Sequence, residues 1–297
     1  MFEDVRRNKI KTGFIVSIFI LLVTLIIYYI GIAFDLGSVS IVIALIFSIV
    51  STALTYYNCD KIVLASCRAR PATIEEDKRL IGILDALMIS SGLTTKPKLY
   101  VVDDAQPNAF ATGRNPEHAI ICVTTGLLEK LEYYELEGVI AHELSHIKNY
   151  DILLSCVISV MVGFIVIITD WLSRSFLWKN FDDDNDSKFG GIMAIVGILV
   201  MILSPIFAKL LQLAVSRRRE FLADATAVEF TRNPDGLISA LQKIDSDPNE
   251  LKTASSATAH MYISEPFRKN AHAKRKTSWF STHPSTQDRI EALRNIK

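Results

Sequence analysis

Residues 139–148 read VIAHELSHIK, and the interpretation of the whole chain starts from this stretch. His142 and His146 are four residues apart, so on a helix they project from one face, where two imidazoles can share one Zn²⁺. Glu143 lies beside them, where it can take a proton from water at the metal and return it to a leaving amine. The alternative is a pair of surface histidines on an amphipathic helix.

A second polar pair, Glu220 and Asp224, lies downstream. A catalytic zinc usually has three protein ligands and keeps one position for water, so two histidines are an incomplete set. Glu220 is the predicted third ligand, and Asp224 is predicted to accept a hydrogen bond from the free N–H of a ligating histidine. Alone, this pair would indicate only an exposed, charged helix. Together with the two histidines, it predicts one metal centre.

Long uncharged runs predict four membrane-spanning helices. Half of the 297 residues are hydrophobic, and they are concentrated in blocks. About 20 consecutive apolar residues are needed for a helix to cross a bilayer. A buried helix of a soluble domain is the alternative for the third run. The predicted spans are 14–34, 39–57, 152–171 and 189–215.

Lysine and arginine residues predict the orientation of these spans. They precede the first span and follow the second and fourth, whereas 35–38 contains none; cytoplasmic loops carry such an excess. Both termini are therefore expected in the cytoplasm. The predicted organisation is an anchor (1–57), a polar block (58–150), two further spans (151–215) and a second polar block (216–297). The two polar blocks are expected to form one cytoplasmic α+β domain.

Composition excludes several other classes of protein. The 32 basic residues balance 32 acidic ones, so no nucleic-acid partner is expected. The four cysteines form no CxxC pair and are expected to be free in a reducing compartment. The remaining histidines of the polar blocks match no motif and are expected at the surface: His118, His260 and His272.

Local sequence patterns predict the main helices and strands of the polar blocks. Thr73 and Glu76 form a capping box that predicts a helix to about Ser91. Short β-prone runs and turn residues predict a small sheet around 98–124. The remaining expectations are one continuous helix over 126–148, a helix over 216–230 continuing the fourth span, and an irregular segment over 248–277.

The HELSH motif, the downstream ExxxD pattern and the four predicted spans together resemble the M48 family of gluzincin metallopeptidases. The resemblance covers essentially the whole chain. It implies a zincin-like cytoplasmic domain with one Zn²⁺ on His142, His146 and Glu220, and Glu143 as base. It also implies an endopeptidase of the bacterial inner membrane that cleaves misfolded or unfolded membrane proteins in quality control and stress response, alongside other quality-control factors.

The resemblance extends to three further places. His283 is similar to the family residue that stabilises the tetrahedral oxyanion. Arg289 is expected to brace the site, near Asp224. The family's edge strand, which would pair with an extended substrate backbone, is matched by Asn108, Ala109, Phe110, Ala111 and Thr112.

Other functions stay open at this point. One alternative is a processing peptidase for lipidated protein termini, and another is a non-catalytic membrane adaptor with a structural zinc. Glu143 argues against the adaptor, because a structural site has no need of a carboxylate beside the metal. A transporter is disfavoured, because no span carries paired charges at mid-depth. Since few residues separate His146 and Glu220 from predicted spans, the metal is expected near the membrane surface.

Overall fold

The computed structural model describes residues 2–33, 37–179, 216–255, 257–267 and 284–296. The predicted fourth span at 189–215 lies outside these residues, as do His272 and His283. All structural statements below refer to the described residues.

Three long helices form an apolar bundle: α1 (Phe2–Ala33), α2 (Val39–Ser66) and α6 (Asp151–Lys179). Both α1 and α2 pack against α6 and against each other. A polar contact also joins the first two, between Thr24 Oγ1 and Ser48 Oγ at 2.7 Å. Both helices are longer than the predicted spans, since α1 begins at Phe2 and α2 continues to Ser66.

Two segments of this bundle have the length and composition needed to cross a bilayer. They are Val5–Leu25 and Val39–Ser66, with mean hydropathies of 1.6 and 2.2. Their outer faces carry exposed apolar side chains such as Phe14 and Phe47, which is typical of a surface in contact with lipid. Helix α6 passes the same test only when it is joined to the preceding helix, at a bend of 84°. The four-span topology therefore stays a prediction.

A four-stranded sheet follows the second helix. Its strands are β1 (Arg70–Pro71), β2 (Lys98–Val102), β3 (Ala109–Thr112) and β4 (Ile120–Thr124), in the order β1-β2-β4-β3. Strand β4 is parallel to β2 and antiparallel to β3, so β3 lies at one edge of the sheet. Strand β3 thus occupies the edge position that the family resemblance implies.

Helix α3 (Ile74–Ser91) connects the first two strands. Its predicted capping box is confirmed: the Glu76 amide donates to Thr73 Oγ1, and the Thr73 amide donates to Glu76 Oε2. Gly92 ends the helix with a φ of +69°, a left-handed conformation that costs glycine little because it has no Cβ.

The single helix expected over 126–148 is wrong, because the chain forms two helices there. Helix α4 (Thr125–Lys130) ends before an extended residue, Glu132, which begins a second capping box. The Glu132 amide donates to Glu135 Oε2 at 2.7 Å, and this contact starts helix α5 (Tyr133–Lys148). Local capping therefore interrupts a sequence whose apolar pattern is continuous.

Helix α5 ends at a tight corner, which we define as residues 149–150. Tyr150 has a φ of +59°, a left-handed conformation that is uncommon for an aromatic residue. The chain consequently turns by 84° between α5 and α6. Helix α5 thus lies nearly perpendicular to α6.

Three further helices complete the described fold: α7 (Arg217–Thr231), α8 (Pro234–Ser246) and α9 (Thr286–Arg294). Helix α7 begins one residue later than the predicted helix over 216–230, because Ser216 has an extended backbone, with φ −118° and ψ 118°. The fourth span that this helix is expected to continue lies outside the described residues.

The main core surrounds helix α5. This helix contacts β3 and α3 as well as α7 and α8. Its apolar side chains Leu136, Val139, Ile140 and Leu144 are fully buried in that core. All four cysteines are buried and free, as expected.

One glycine sets the distance between α5 and α8. A Cβ at Gly138 would lie 2.8 Å from the backbone nitrogen of Leu237 and 2.9 Å from its Cα. We expect Gly138→Ala to destabilise the fold by about 1–3 kcal/mol, because the two helix backbones would have to separate. A lower thermal unfolding midpoint in detergent would measure this loss.

Gly82→Ala in α3 is the matched control, because a Cβ there meets nothing within 4 Å. It should stabilise the protein by about 0.5–1 kcal/mol, since alanine loses less conformational entropy in a helix than glycine does. A Gly138→Ala midpoint at or above that of the unchanged protein would contradict the predicted close packing.

Candidate active site

Helix α5 presents its two motif histidines toward α7. Both lie on one face, and their Nε2 atoms are 3.2 Å apart. His142 is fully buried, whereas His146 reaches the rim of a cleft. The helix and the shared face predicted from the four-residue spacing are therefore confirmed.

Helix α7 brings Glu220 to the same point. Glu220 Oε2 lies 3.7 Å from His142 Nε2, and Glu220 Oε1 lies 3.8 Å from His146 Nε2. Tetrahedral Zn²⁺ with ligands at about 2.0–2.1 Å needs donor atoms about 3.3 Å apart, so these distances suit one ion after small adjustments. Two imidazoles and one carboxylate are also the donor set of several catalytic zinc sites. The described residues contain no second group of this kind.

A buried ion pair lies behind His142. Asp224 Oδ1 is 2.9 Å from His142 Nδ1, the distance of a hydrogen bond in which the imidazole donates. Arg289 donates to both oxygens of Asp224, at 2.8 and 2.6 Å, and to the carbonyl of Ile263 at 3.0 Å. The predicted contact between Arg289 and Asp224 is confirmed. This ion pair holds the Asp224 carboxylate against Nδ1 of His142. The other ring nitrogen, Nε2, then faces the cleft.

His146 has a carboxylate partner of its own, Asp151. Its Nδ1 lies 3.1 Å from Asp151 Oδ2. The sequence did not predict this contact, because Asp151 comes five positions after His146 and would face another side of a continuous helix. The 84° corner turns Asp151 back toward the predicted metal ligands. Its place at the start of a long apolar run was the one available signal.

Glu143 is buried beside the cluster. Burial, together with the charge of Glu220, raises the pKa of its carboxyl group to about 7, although His146, Arg289 and a backbone hydrogen bond from Ala111 act in the opposite direction. A carboxyl group with this pKa can both accept and release a proton near neutral pH. Ala111 belongs to the edge strand β3, so the carboxylate and the strand face the same cleft.

The two histidines differ in their electrostatic surroundings. Burial and the nearby charge of Arg289 lower the pKa of His142, against the opposing effect of Asp224. Burial also acts to lower the pKa of His146, but its hydrogen bond to Asp151 and the charge of Glu220 raise it to about 9. A histidine binds metal only as the neutral imidazole, so metal binding displaces a proton from His146.

A small cleft lies beside these residues. It is lined by Ala111 of β3, by the proposed metal ligands and by a segment that we define as residues 259–264. His260 in that segment is only 5% exposed, and its Nε2 lies 3.2 Å from the carbonyl of Ser155. The expected surface position of His260 is therefore wrong, whereas His118 is exposed as expected.

The 259–264 segment runs along one half of the edge strand. The Ile263 amide donates to the Ala109 carbonyl at 2.9 Å, and the Asn108 side chain donates to the Ser264 carbonyl at 3.0 Å. The rings of Phe110 and Tyr262 meet edge to face, with centroids 5.0 Å apart. The outer edge is therefore engaged by the chain itself at Ala109, while Ala111 borders the cleft.

Thr112 ends this strand away from the cluster, where its hydroxyl donates to Cys156 Sγ at 3.3 Å. The structure thus brings together the predicted residues His142, Glu143, His146, Glu220, Asp224, Arg289 and Ala111. The predicted site residue His283 lies outside the described residues. A two-histidine, one-glutamate cluster with a buried carboxylate beside an edge strand is typical of zinc-dependent peptidases.

Comparison with known proteins agrees with this class. Peptidase family M48 matches residues 75–297. A "Protease HtpX homolog" from Dictyoglomus turgidum is 43% identical over 293 residues, covering 99% of this chain and 94% of the relative. A protein of the same name from Caldanaerobacter subterraneus subsp. tengcongensis is 40% identical over 300 residues, covering 100% and 98%. The crystal structure of S. mikatae Ste24p aligns at 17% identity and a TM-score of 0.49, covering 99% of this chain and 67% of that one.

The chain belongs to peptidase family M48. It is a membrane-embedded metalloprotease, and its proteolytic relatives match it over nearly their whole length.

Arg289 offers a test of the ion pair behind His142. We expect Arg289→Ala to destabilise the protein by about 3–5 kcal/mol, because it leaves the buried Asp224 carboxylate without its partner. It should also weaken zinc binding about 10–100-fold, since Asp224 would no longer be held against His142. Thermal unfolding and competition with a zinc chelator measure the two effects.

Arg294→Ala on the same helix is the control, because Arg294 is exposed. It should change neither quantity. Unchanged zinc affinity in a folded Arg289→Ala protein would show that the ion pair does not position the histidine.

Proposed function

We propose that this protein is a zinc-dependent endopeptidase that cleaves unfolded cytoplasmic segments of membrane proteins, in quality control of a bacterial inner membrane. The observation that carries the proposal is the meeting of three metal-binding donor atoms, a buried carboxylate and a strand edge in one cleft. Each part serves a different requirement of peptide hydrolysis.

His142, His146 and Glu220 would hold the ion. When bound, Zn²⁺ supplies Lewis acidity, which polarises a peptide carbonyl and makes a water molecule more acidic. Asp224 would keep the imidazole of His142 oriented through its Nδ1 atom. This carboxylate would also increase the basicity of the nitrogen that faces the cleft.

Glu143 is the proposed general base and acid. Its carboxylate would accept a proton from the attacking water and deliver it to the nitrogen of the departing amine. The pKa of about 7 supports both transfers, because neither the protonated nor the ionised form is strongly favoured near neutral pH. His283 is proposed, from its place in the family pattern, as a donor to the oxyanion.

The edge strand is the proposed substrate-binding element. Backbone pairing reads no side-chain sequence, which suits an enzyme that acts on many unfolded chains. Ala111 borders the cleft next to Glu143, so a paired substrate would enter beside the base. The carbonyl of Ala109 already accepts a hydrogen bond from Ile263, so a longer substrate strand would have to displace the 259–264 segment.

The membrane arrangement that we propose has four spans, with both termini and the active site in the cytoplasm. The corner at 149–150 supports a site close to the bilayer. If α6 crosses the membrane, the 84° bend places α5 roughly parallel to the membrane surface, directly beside it. Juxtamembrane segments of damaged membrane proteins would then be within reach, together with the surrounding lipid.

Replacement of the proposed base tests the catalytic function. We expect Glu143→Gln to abolish cleavage of an unfolded test protein by the zinc-loaded chain, because an amide cannot take the proton. Zinc affinity should change little, since Glu143 is not among the proposed ligands. Proteolysis and chelator competition should be compared for both proteins, before and after addition of stoichiometric Zn²⁺.

Cleavage that needs zinc and is lost in Glu143→Gln would support the proposal. Zinc binding by both proteins with cleavage by neither would instead favour a non-catalytic adaptor. Cleavage restricted to one defined terminus would favour a processing peptidase.

Cysteine labelling in intact cells tests the orientation. The four native cysteines are buried, so an introduced thiol should dominate the reaction with a membrane-impermeant reagent. We expect Ser38→Cys, in the predicted outer loop, to react in intact cells. Glu117→Cys, which is exposed next to the sheet, should react only after permeabilisation. The reverse pattern would contradict a cytoplasmic active site.

A further inference from the structure

A line of hydrogen bonds connects the first helix of the chain to His146. Asn8 in α1 donates through Nδ2 to Asp151 Oδ1 at 2.7 Å, and Asp151 Oδ2 lies 3.1 Å from His146 Nδ1. The same Asn8 amide group donates to the carbonyl of Asn149 at 3.1 Å. These partners are 141 and 143 residues from Asn8 in the sequence, so only the tertiary fold brings them together.

The environment makes this contact costly to leave unsatisfied. Asn8 and Asp151 are each only 5% exposed. A buried amide or carboxylate without a partner loses its free energy of hydration, and no hydrogen bond within the protein compensates for the loss. Nearby contacts hold the same corner, since Lys9 Nζ lies 4.2 Å from the centre of the Tyr150 ring. Arg219 Nη1 also approaches Asp151 Oδ1, at 3.5 Å.

We propose that Asp151 is a positioning residue for His146 and that Asn8 holds Asp151 in the orientation this requires. The proposal rests on the proposed function, in which His146 binds the metal through Nε2. With Oδ1 engaged by the Asn8 amide, Oδ2 faces the imidazole. The Nδ1–H group then has a fixed acceptor, which selects the tautomer with Nε2 free for the metal.

The arrangement repeats, on the other histidine, the one behind His142. There Asp224 faces Nδ1, and Arg289 from the last helix holds the carboxylate. At His146 the carboxylate is Asp151, and the group that holds it comes from the first helix. Asn8 of α1 and Arg289 of α9 therefore each hold the carboxylate that orients one histidine. It follows that tight metal binding requires α1 to be packed against the corner at 149–150.

Zinc affinity of the full-length protein in detergent tests this proposal. We expect Asp151→Asn to weaken zinc binding about 10–100-fold, measured by competition with a chelator. Asn8→Leu, which keeps the branched shape of the side chain but removes the donor, should weaken it several-fold in the same direction. Saturating zinc should restore kcat, because the expected defect lies in metal binding.

Thr12→Val is the matched control. Thr12 lies one turn further along α1 and is equally buried, but its hydroxyl donates only within the helix, to the Asn8 carbonyl at 2.9 Å. It should leave zinc affinity unchanged. If Asn8→Leu does not fold, as judged by thermal unfolding of the metal-free protein, Asn8→Ala gives the same measurement with a smaller change.

His146→Ala separates this proposal from the one on which it rests. Wild-type zinc affinity in the Asp151 and Asn8 variants, with a large loss in His146→Ala, would overturn the positioning role and leave the proposed metal site intact. Wild-type affinity in His146→Ala as well would overturn both. Loss in all three, with Thr12→Val unaffected, is the expected result.

Discussion

The site depends on the close packing of α5 against α7. The Nε2 atoms of His142 and His146 lie 3.2 Å apart, Glu220 Oε2 lies 3.7 Å from the first of them, and Glu220 Oε1 lies 3.8 Å from the second. Small side chains permit this approach, since Ala223 and Ala227 of α7 are buried in the contact region. A change of about an ångström in the helix separation would spoil the geometry of a tetrahedral site.

Burial of many charged groups in one place is the second constraint. Desolvation alone would neutralise carboxylates and histidines, and here each group is held by a partner of opposite charge or by a hydrogen bond. Burial acts to raise the pKa of Asp224, but the charge and hydrogen bonds of Arg289 keep that pKa below its ordinary value. For Glu143, burial and the charge of Glu220 outweigh the charges of His146 and Arg289 and the hydrogen bond from Ala111, so its pKa rises to about 7. The pKa thus differs in direction between these two buried carboxyl groups, and this agrees with a structural role for Asp224 and a proposed catalytic role for Glu143.

The corner after α5 relates the site to the membrane helices. A continuous helix through residues 133–164 would carry the motif away from the bundle in a straight line. The 84° turn instead folds α5 across the end of α6, and it directs Asp151 back to His146. The same turn gives α1 a contact with the site, through Asn8. The long apolar helices and the predicted metal ligands are thus packed against each other at the corner.

Features that depend on short-range periodicity could be predicted from the sequence. Four-residue spacing placed His142 and His146 on one helix face, Thr73 and Glu76 marked a helix start, and apolar runs marked the long helices. These patterns work because a helix repeats every 3.6 residues and because capping involves only neighbours. The pairing of Glu220 with the histidines could also be predicted, since zinc chemistry requires a third ligand.

Contacts that join distant parts of the chain could not be predicted in this way, because they form only when the chain is folded. Asn8 with Asp151, Asn108 with Ser264, and the burial of His260 in the cleft follow no local spacing. The helix break at Glu132 was also not predicted, because the apolar pattern continues through the residues of the capping box. Such features depend on which surfaces pack together, and packing is a property of the whole chain rather than of any one segment.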